Sequence, residues 1–205
     1  ILIIMDEVVC GLGRTGKWFG YQHFNIQPDI VTMAKGVASA YMPISCTVTT
    51  EEVFAALQDT TDKLSYFRDI STFGGCLAAP AAALENIKII EEESLLDNVV
   101  AMGDYLQQGL QELLSHSNVG DVRGKGLLQG IEFVADKASK KPLEEEKVIA
   151  VCGAMAKRGV LVGRTNRSFV GRNNIVNVAP AYIVTKDQID IILKALRESI
   201  TEVLG

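Results

Sequence analysis

Two short apolar runs, at residues 1–5 and 30–34, each end directly before a charged side chain. Runs of this length are typical of strands that are buried on both faces of a parallel sheet. Asp6 follows the first run and Lys35 follows the second. Because ligands bind at the carboxyl ends of the strands in open α/β sheets, we expect the chemistry of this protein at these two positions.

Helical patterns follow the two strands. An alanine-rich stretch at residues 77–93 predicts a helix. Behind it, apolar residues recur at three- and four-residue steps, which predicts a long amphipathic helix. Its stripe consists of Val99, Met102, Leu106, Leu110 and Leu113. We interpret these residues as core.

The last part of the chain is predicted to form a small α/β domain. A helix is predicted at residues 144–157, and a final helix begins at Thr185, where Gln188 completes a capping box. Strands are predicted at residues 127–134, 160–162 and 175–178. A glycine-rich stretch before these strands marks a domain boundary, so that residues 1–117 belong to a large domain and residues 118–205 to the small one.

Composition and charge narrow the function classes. The chain has 205 residues, of which 48% are hydrophobic and 22% charged, as in soluble globular proteins. No apolar run approaches the roughly 20 residues of a membrane-spanning helix. The net charge of −5, with scattered cations, argues against a nucleic-acid partner.

Cysteines and histidines indicate no metal site. The four cysteines are widely spaced, so neither a disulfide framework nor a metal site is predicted, and we interpret them as reduced thiols in the cytoplasm. His23 and His116 lack partners at metal-ligand spacing and are assigned no role. The chain begins at Ile1 inside a predicted strand, and we expect it to be a fragment.

The acidic pair Asp6 and Glu7 has three interpretations. Acidic residues often follow strands because the chain is reaching the surface. The pair also resembles the magnesium- and water-binding acids of a P-loop ATPase, in which Asp6 would hold Mg²⁺. In the third interpretation Asp6 keeps a pyridine nitrogen protonated in a pyridoxal phosphate (PLP) site, which also needs a Schiff-base lysine.

Lys35 meets the requirement of the third interpretation. It follows five residues that are predicted to be buried, and desolvation favours the neutral amine that Schiff-base chemistry needs. Periodicity alone does not distinguish this role from that of a strand-end lysine in an ion pair.

A glycine motif raises the possibility of a dinucleotide site. Gly11, Gly13 and Gly16 match the pattern G-x-G-x-x-G after a strand, and Asp29 follows at a distance that suits a ribose contact. The motif should open an amphipathic helix, but aromatic residues and glycine follow it as far as Pro28. The context therefore argues against dinucleotide binding.

Three segments together resemble the class III aminotransferases in order and spacing. They are an Asp-Glu-Val segment at residues 6–16, an Ala-Lys-Gly segment at 28–36 and a Ser-Thr-Phe-Gly-Gly segment at 71–75. The resemblance continues to the terminal helix and covers essentially the whole chain. It implies the C-terminal part of a fold type I PLP transferase, which is an α/β fold with a mostly parallel sheet in the large domain and a small α/β C-terminal domain.

The resemblance also implies roles for individual residues. Asp6 would pair with the ring nitrogen of PLP, Val8 would pack against the ring, and Lys35 would form the internal aldimine. Thr72, with Phe73 beside it in the cofactor site, would bind the PLP phosphate of a neighbouring subunit, so a homodimer or a higher homo-oligomer is expected. The implied activity is that of an EC 2.6.1-type transaminase, which moves an amino group from an amino donor to a keto acid such as pyruvate in a ping-pong cycle.

Departures from the family pattern concern the substrate. Val9 and Cys10 stand where many members have glutamine, a variant that is similar to the omega-amino acid or amine:pyruvate branch. Asn177 stands where other members have an arginine that holds a substrate carboxylate. The candidates to replace that arginine are Arg164, Arg167 and Arg172.

Alternatives within the family use the same residues. A class III aminomutase, racemase or decarboxylase would also need Lys35 and Asp6, whereas a non-catalytic scaffold would be expected to lose Lys35. The phosphate cup and the stacking aromatic residue, which the family supplies from its first half, are absent from this sequence, so we expect the fragment alone to be inactive.

Overall fold

The chain divides into two compact units, Ile1–Leu96 and Asp97–Gly205. The computed structural model describes residues 1–58, 67, 71–166 and 169–205. Each unit has a hydrophobic core of its own. None of the helices within these described ranges is long and apolar enough to cross a membrane.

The first unit contains a three-stranded sheet in the order β1-β2-β3. Strand β1 (Ile4–Asp6) is parallel to β2 (Ile30–Met33), and β3 (Cys46–Thr49) is antiparallel to β2. Helix α1 (Glu51–Ala55) and helix α2 (Ala78–Glu92) follow. The two strands whose ends we expected to carry chemistry are therefore parallel neighbours, as predicted.

Strand β1 begins later than the apolar pattern predicts. The Ile3 N–H donates to a side chain, the Asp29 carboxylate, at 2.7 Å, and the Ile3 carbonyl accepts from the N–H groups of Asp29 at 3.0 Å and Ile30 at 3.1 Å. Regular pairing starts only where Ile4 faces Ile30. Strand β3 was not predicted, because its alternation of apolar and polar residues covers only four positions, Cys46–Thr49.

The core of the first unit joins the segments that surround the two strand ends. Its buried residues are Leu12 in the glycine-rich loop, Val37 and Ala38 after Lys35, and Ala83 in helix α2. Helix α2, which was predicted at residues 77–93, is confirmed almost to the residue. The helix thus packs directly behind the turn that follows β2.

Helix α3 (Leu95–Gln111) spans the division between the two units. The other elements of the second unit are β4 (Val119–Lys125), β5 (Leu128–Asp136), β6 (Lys141–Pro142), α4 (Glu145–Lys157), β7 (Gly163–Arg164), β8 (Ile175–Val178) and α5 (Lys186–Leu204). The strands form a sheet in the order β4-β5-β8-β7, with β6 paired to β5, and every one of these pairings is antiparallel.

The predicted strand at residues 160–162 is wrong. The Val160 N–H donates to the Met155 carbonyl at 3.1 Å and so closes the end of helix α4 instead of joining the sheet. Pairing starts at β7, where Gly163 faces Asn177. Strand β4 was not predicted, because only Val119 and Val122 in it are apolar. The glycines and charged residues around them resemble a glycine-rich loop.

The apolar stripe of helix α3 packs into the core of the second unit. Val99, Leu106 and Leu110 are fully buried in one cluster with Ile131 and Phe133 of strand β5. The sequence placed the domain boundary at residue 118, whereas the compact units divide after Leu96, in the first turn of this helix, because its stripe completes the core of the sheet that follows it.

The predicted capping box at the start of helix α5 is confirmed. The Thr185 hydroxyl accepts from the Gln188 N–H at 3.4 Å, and the Gln188 side chain accepts from the Thr185 N–H at 3.0 Å. The helix then buries Ile189, Leu193 and Leu196.

Candidate active site

Asp6 and Lys35 lie at the same edge of the sheet. Strands β1 and β2 run in parallel, and Asp6 is paired in register with Thr32. Lys35 follows Thr32 by three residues, just beyond the end of β2. The topology therefore brings the acid and the amine to the carboxyl ends of adjacent strands, where α/β proteins bind ligands.

Asp6 presents its carboxylate on the exposed face of the strand end. Its Oδ1 accepts a hydrogen bond from the Val8 N–H at 3.0 Å, which sets the direction of the side chain. Within the described part of the chain, Oδ2 accepts no hydrogen bond. Val8 itself is half-buried beside it. One carboxylate oxygen thus remains available to a ligand.

Glu7 points to the opposite side of the strand and is 2% exposed. Its two carboxylate oxygens accept from the N–H groups of Gly20 and Tyr21, both at 2.9 Å. These N–H groups belong to the first two residues of a short 3₁₀ helix, Gly20–His23. Because Glu7 is buried and both its oxygens are directed at backbone N–H groups, it is not placed to orient a water molecule in solvent, which argues against the ATPase interpretation of the acidic pair.

Lys35 occupies an unusual backbone conformation. Its φ of +40° lies in the left-handed region, which costs a residue with a side chain roughly 1–3 kcal/mol and is characteristic of functional turns. Asn86 of helix α2 holds this turn by donating from its side-chain amide to the carbonyls of Gly36 at 2.8 Å and Val37 at 3.2 Å. No sequence pattern predicts this role of Asn86, since a half-buried asparagine in a helix has no distinctive pattern.

The Lys35 ammonium group is exposed and uncommitted. Among the described residues it forms no ion pair and no hydrogen bond. The alternative of a strand-end lysine in an ion pair is therefore not observed. A primary amine without a protein partner, at the same sheet edge as Asp6, is what a covalently bound aldehyde cofactor requires.

The glycine-rich loop does not open a helix at Gly16. Gly13 and Gly16 both have positive φ values, +107° and +88°, and the chain continues through bends to the short 3₁₀ helix. A Cβ on Gly11 would lie 2.6 Å from the Glu7 carbonyl oxygen, so only glycine permits the turn after the acidic pair. His23 closes the loop from the other end, with its ring nitrogen 3.1 Å from the Thr15 hydroxyl.

Cys10 lies close to the two carboxylates, and its pKa responds to them. Burial raises the pKa of the Cys10 thiol, and the negative charges of Glu7 and Asp6 raise it further. The thiol is half-buried and forms no disulfide. Cys10 is thus held in its neutral form beside the two carboxylates.

Thr72 and Phe73 lie on an exposed turn before helix α2. The Gly74 N–H donates to the Ser71 carbonyl at 3.1 Å and the Cys76 N–H to the Phe73 carbonyl at 3.0 Å. Phe73 is 81% exposed and lines an open cavity of about 620 Å³. The turn presents both predicted residues outward from the first unit.

Arg164 is committed to a carboxylate of its own unit. Its Nη1 donates to Glu145 Oε1 at 2.8 Å and to the Thr165 carbonyl at 3.1 Å. The second oxygen of Glu145 accepts from the Asn173 side chain at 3.1 Å. These two contacts lower the pKa of Glu145, with the Asn173 hydrogen bond as the larger cause. Glu145 thereby ties together the two ends of the loop between β7 and β8.

Of the other two candidate arginines, only Arg172 is among the described residues. Arg172 is exposed, and its side chain has no ion-pair partner among the residues that the structure describes. Arg167 lies outside the described residues. Asn177 is half-buried between the buried residues Val176 and Val178, and therefore faces away from the core.

Comparison with known proteins identifies the family. The family model described as Aminotransferase class-III matches residues 1–200. The chain belongs to the class III aminotransferases.

Relatives within the family are named for related reactions. The chain is 59% identical over 205 residues to a taurine–pyruvate aminotransferase of Bilophila wadsworthia. The alignment covers 99% of this chain and 45% of the relative. It is 57% identical over 207 residues to a hypotaurine/taurine–pyruvate aminotransferase of Paracoccus denitrificans, covering 100% of this chain and 45% of the relative. The chain thus spans less than half the length of these curated relatives.

Solved structures of an aminotransferase and an omega-transaminase share its fold. A Bacillus anthracis aminotransferase superposes with a TM-score of 0.95 at 42% identity, covering 98% of this chain and 45% of that chain. An omega-transaminase from Thermomicrobium roseum superposes with a TM-score of 0.90 at 36% identity, covering 100% and 44%. The mixed α/β architecture is that of the C-terminal part of a fold type I PLP transferase.

The predicted site residues of this chain fall into separate groups. Asp6, Val8 and Lys35 are brought together at one sheet edge of the first unit, and Thr72 lies on an exposed turn of the same unit. The arginine candidates belong to the second unit. Pattern reasoning missed the supporting residues Glu7 and Asn86, whose roles depend on contacts with distant parts of the chain.

Proposed function

We propose that the full-length protein is a PLP-dependent aminotransferase that takes an amino group from taurine, or a similar ω-amino acid, and delivers it to pyruvate. The observation that carries this proposal is the juxtaposition of an uncommitted carboxylate oxygen of Asp6 and the uncommitted amine of Lys35 at the ends of adjacent parallel strands. PLP needs both an acid for its ring nitrogen and an amine for its aldehyde.

The residues of the sheet edge fit this cofactor. Asp6 would accept a hydrogen bond from the protonated ring nitrogen through Oδ2, while the Val8 N–H holds Oδ1. Val8 would offer its apolar side chain to one face of the ring. Bound PLP supplies an electron sink that stabilises negative charge at the donor carbon. Lys35 would carry the cofactor and move the proton between the donor carbon and the cofactor C4′ atom as general base and acid.

The exposed turn at Thr72 supports a dimeric site. Thr72 and Phe73 face outward from the first unit, so their side chains are available to another subunit. We propose that Thr72 binds the phosphate of the partner's PLP and that the active enzyme is a homodimer or a higher homo-oligomer. Gel filtration and light scattering of the full-length protein test this. A catalytically active monomer would contradict it.

The identity of the donor rests on relatives and on charge. The names of relatives at 57–59% identity specify taurine or hypotaurine and pyruvate. Taurine carries a sulfonate, whose permanent negative charge suits an arginine. We propose Arg172 for this role because Arg164 is already paired with Glu145. Arg167 is the other candidate.

Other reactions on the same residues remain as alternatives. An aminomutase, a racemase or a decarboxylase would use Lys35 and Asp6 equally, but the relatives at 57–59% identity are named as aminotransferases. A cytoplasmic location stays a prediction.

Borohydride reduction of the full-length protein, followed by peptide mass spectrometry, tests the cofactor and the lysine together. We expect a reduced pyridoxyl phosphate on Lys35, and none after substitution Lys35→Ala. The matched control is Lys88→Ala, because Lys88 is another exposed lysine of the first unit. A protein that is supplied with PLP and stays unlabelled at Lys35 would refute the proposal.

Kinetic assays test the reaction and the acid. Taurine and pyruvate should yield alanine, with ping-pong kinetics. Replacing Asp6 with Asn should reduce kcat by on the order of 10² or more, since one preorganised electrostatic partner is lost. Near-normal turnover in that variant would exclude Asp6 as the partner of the ring nitrogen.

A further inference from the structure

Glu7 is a buried acid whose side chain lies on the far side of the strand from Asp6. It is 2% exposed, whereas Asp6 is exposed and Val8 half-buried. The alternation along a strand places the Glu7 carboxylate behind the cofactor edge of the sheet, where it cannot touch the ring that Asp6 and Val8 would contact. Any role for Glu7 in the site must therefore act through its neighbours.

Every hydrogen-bonding group of Glu7 is engaged. Its N–H donates to the Thr32 carbonyl at 2.8 Å, which extends the pairing of β1 with β2 by one residue. Its carbonyl accepts from the Gly11 N–H at 2.9 Å, which starts the glycine-rich turn. Its carboxylate oxygens accept from Gly20 and Tyr21 at 2.9 Å each. The peptide groups on both sides of Glu7 are thereby fixed.

Those two peptide groups carry the proposed cofactor contacts. The one before Glu7 connects it to Asp6, and the one after it contains the Val8 N–H, which holds Asp6 Oδ1 at 3.0 Å. Rotation about the Glu7 backbone would move Asp6 and Val8 together. The direction of the Asp6 carboxylate is thus linked to the contact that Glu7 makes 13 and 14 residues further along the chain.

The surroundings of Glu7 permit no larger neighbour. A Cβ on Gly20 would lie 3.3 and 3.4 Å from the two carboxylate oxygens and 2.9 Å from the Cys10 Cβ. A Cβ on Gly11 would lie 3.2 Å from the Glu7 Cβ. Glycine at both positions lets the backbone approach the carboxylate closely enough for two short hydrogen bonds.

We propose that Glu7 is a positioning residue, which sets Asp6 and Val8 against the cofactor ring by clamping the strand end to the N–H groups of Gly20 and Tyr21. This inference rests on the proposed function, because it concerns how Asp6 meets PLP. The clamp requires a carboxylate: the two N–H donors need two acceptors, and an amide offers only one.

The test compares Glu7→Gln with Gln22→Ala in the full-length protein. Gln22 supports the same 3₁₀ helix by accepting from the Phe19 N–H at 3.1 Å, but among the described residues its side chain forms no hydrogen bond with Glu7 or strand β1. Titration of the apo protein with PLP measures the dissociation constant. We expect Glu7→Gln to raise it about ten-fold, because one buried donor loses its acceptor, and Gln22→Ala to change it less than about two-fold.

A double-mutant cycle shows whether Glu7 acts through Asp6. If it does, adding Glu7→Gln to Asp6→Asn should weaken PLP binding by clearly less than the roughly ten-fold effect in the parent, since the Asp6 contact is already gone and only the Val8 contact is left to be positioned. Additive effects would overturn the proposal, and so would equal effects of Glu7→Gln and Gln22→Ala. Unchanged PLP affinity in folded Glu7→Gln would overturn it as well.

Hydrogen exchange in the parent protein gives a second test that needs no variant. Coupling between two sites is reciprocal, so PLP bound at Asp6 should slow exchange of the Gly20 and Tyr21 amides by on the order of ten-fold. If Glu7→Gln does not fold, this measurement decides, and an unchanged exchange rate refutes the clamp. Failure of the proposed function is distinguishable, because the parent protein would then bind no PLP at Lys35.

Discussion

A close contact between two glycines allows a sharp test of packing in the second unit. Gly103 is buried in helix α3, and a Cβ placed on it would lie 2.6 Å from the carbonyl carbon and the Cα of Gly126. Gly126 sits in a turn with a φ of +54°, so the obstacle is backbone that is itself constrained. A flexible side chain could move aside, but this turn has to shift as a whole.

The size of the effect follows from that distance. Carbon atoms normally meet at about 3.5–4.0 Å, so Gly103→Ala must separate the helix from the turn by roughly 1 Å. Overpacking of this kind typically costs about 1–3 kcal/mol. The higher helix propensity of alanine offsets up to about 1 kcal/mol. We expect the free energy of unfolding to fall by about 1–2 kcal/mol.

Gly153→Ala provides the matched control. Gly153 is also inside a helix, α4, but it is exposed and has no atom within 4 Å of an added Cβ. The same substitution should there raise the free energy of unfolding by roughly 0.5–1 kcal/mol. Urea denaturation of the two full-length variants and the parent measures both changes. If Gly103→Ala is as stabilising as Gly153→Ala, the close approach of helix and turn is refuted.

Three further predictions concern single side chains, each measured by urea denaturation of the full-length protein. Asn86→Ala removes two hydrogen bonds to the turn after β2 and should lower the free energy of unfolding by about 1–2 kcal/mol. Glu85→Ala, at the exposed neighbouring position, should not lower it. Equal effects of the two substitutions would contradict the role of the Asn86 amide. Burial, and to a smaller extent the charge of Lys137, lower the pKa of His116 from its ordinary 6.5, so the unfolded chain takes up a proton first as the pH falls and stability declines below about pH 6.5. His116→Gln should make that decline less steep, and an unaltered pH profile would argue against it. Thr185→Ala removes the hydroxyl of the capping box and should cost about 1 kcal/mol; an unchanged midpoint would mean that the box does not hold the helix.

Local patterns predicted much of the second unit's helical structure. The capping box at Thr185 and the apolar stripe of α3 depend on residues within a few positions of one another, and the structure confirms them. Strands were harder to predict. The run at residues 160–162 has the sequence pattern of a strand. Its Val160 N–H instead donates to the Met155 carbonyl at the end of helix α4.

The sequence by itself predicted the pair of residues on which the proposed chemistry depends. Asp6 and Lys35 were predicted because two apolar runs each end in a charge, and because the segments around them resemble one family of enzymes. Both signals are local, since they depend on hydrophobic runs and on short motifs that can be read without knowing which segments touch.

Only the tertiary structure decided which residues support that pair. Glu7 grips N–H groups 13 and 14 residues away, and Asn86 reaches back 50 residues to the carbonyl of Gly36. Arg164, an apparent candidate for substrate binding, proved to be paired with Glu145. Hydrogen bonds between distant segments form when the packing of whole elements brings donor and acceptor within about 3 Å, and no periodicity along the chain encodes that distance.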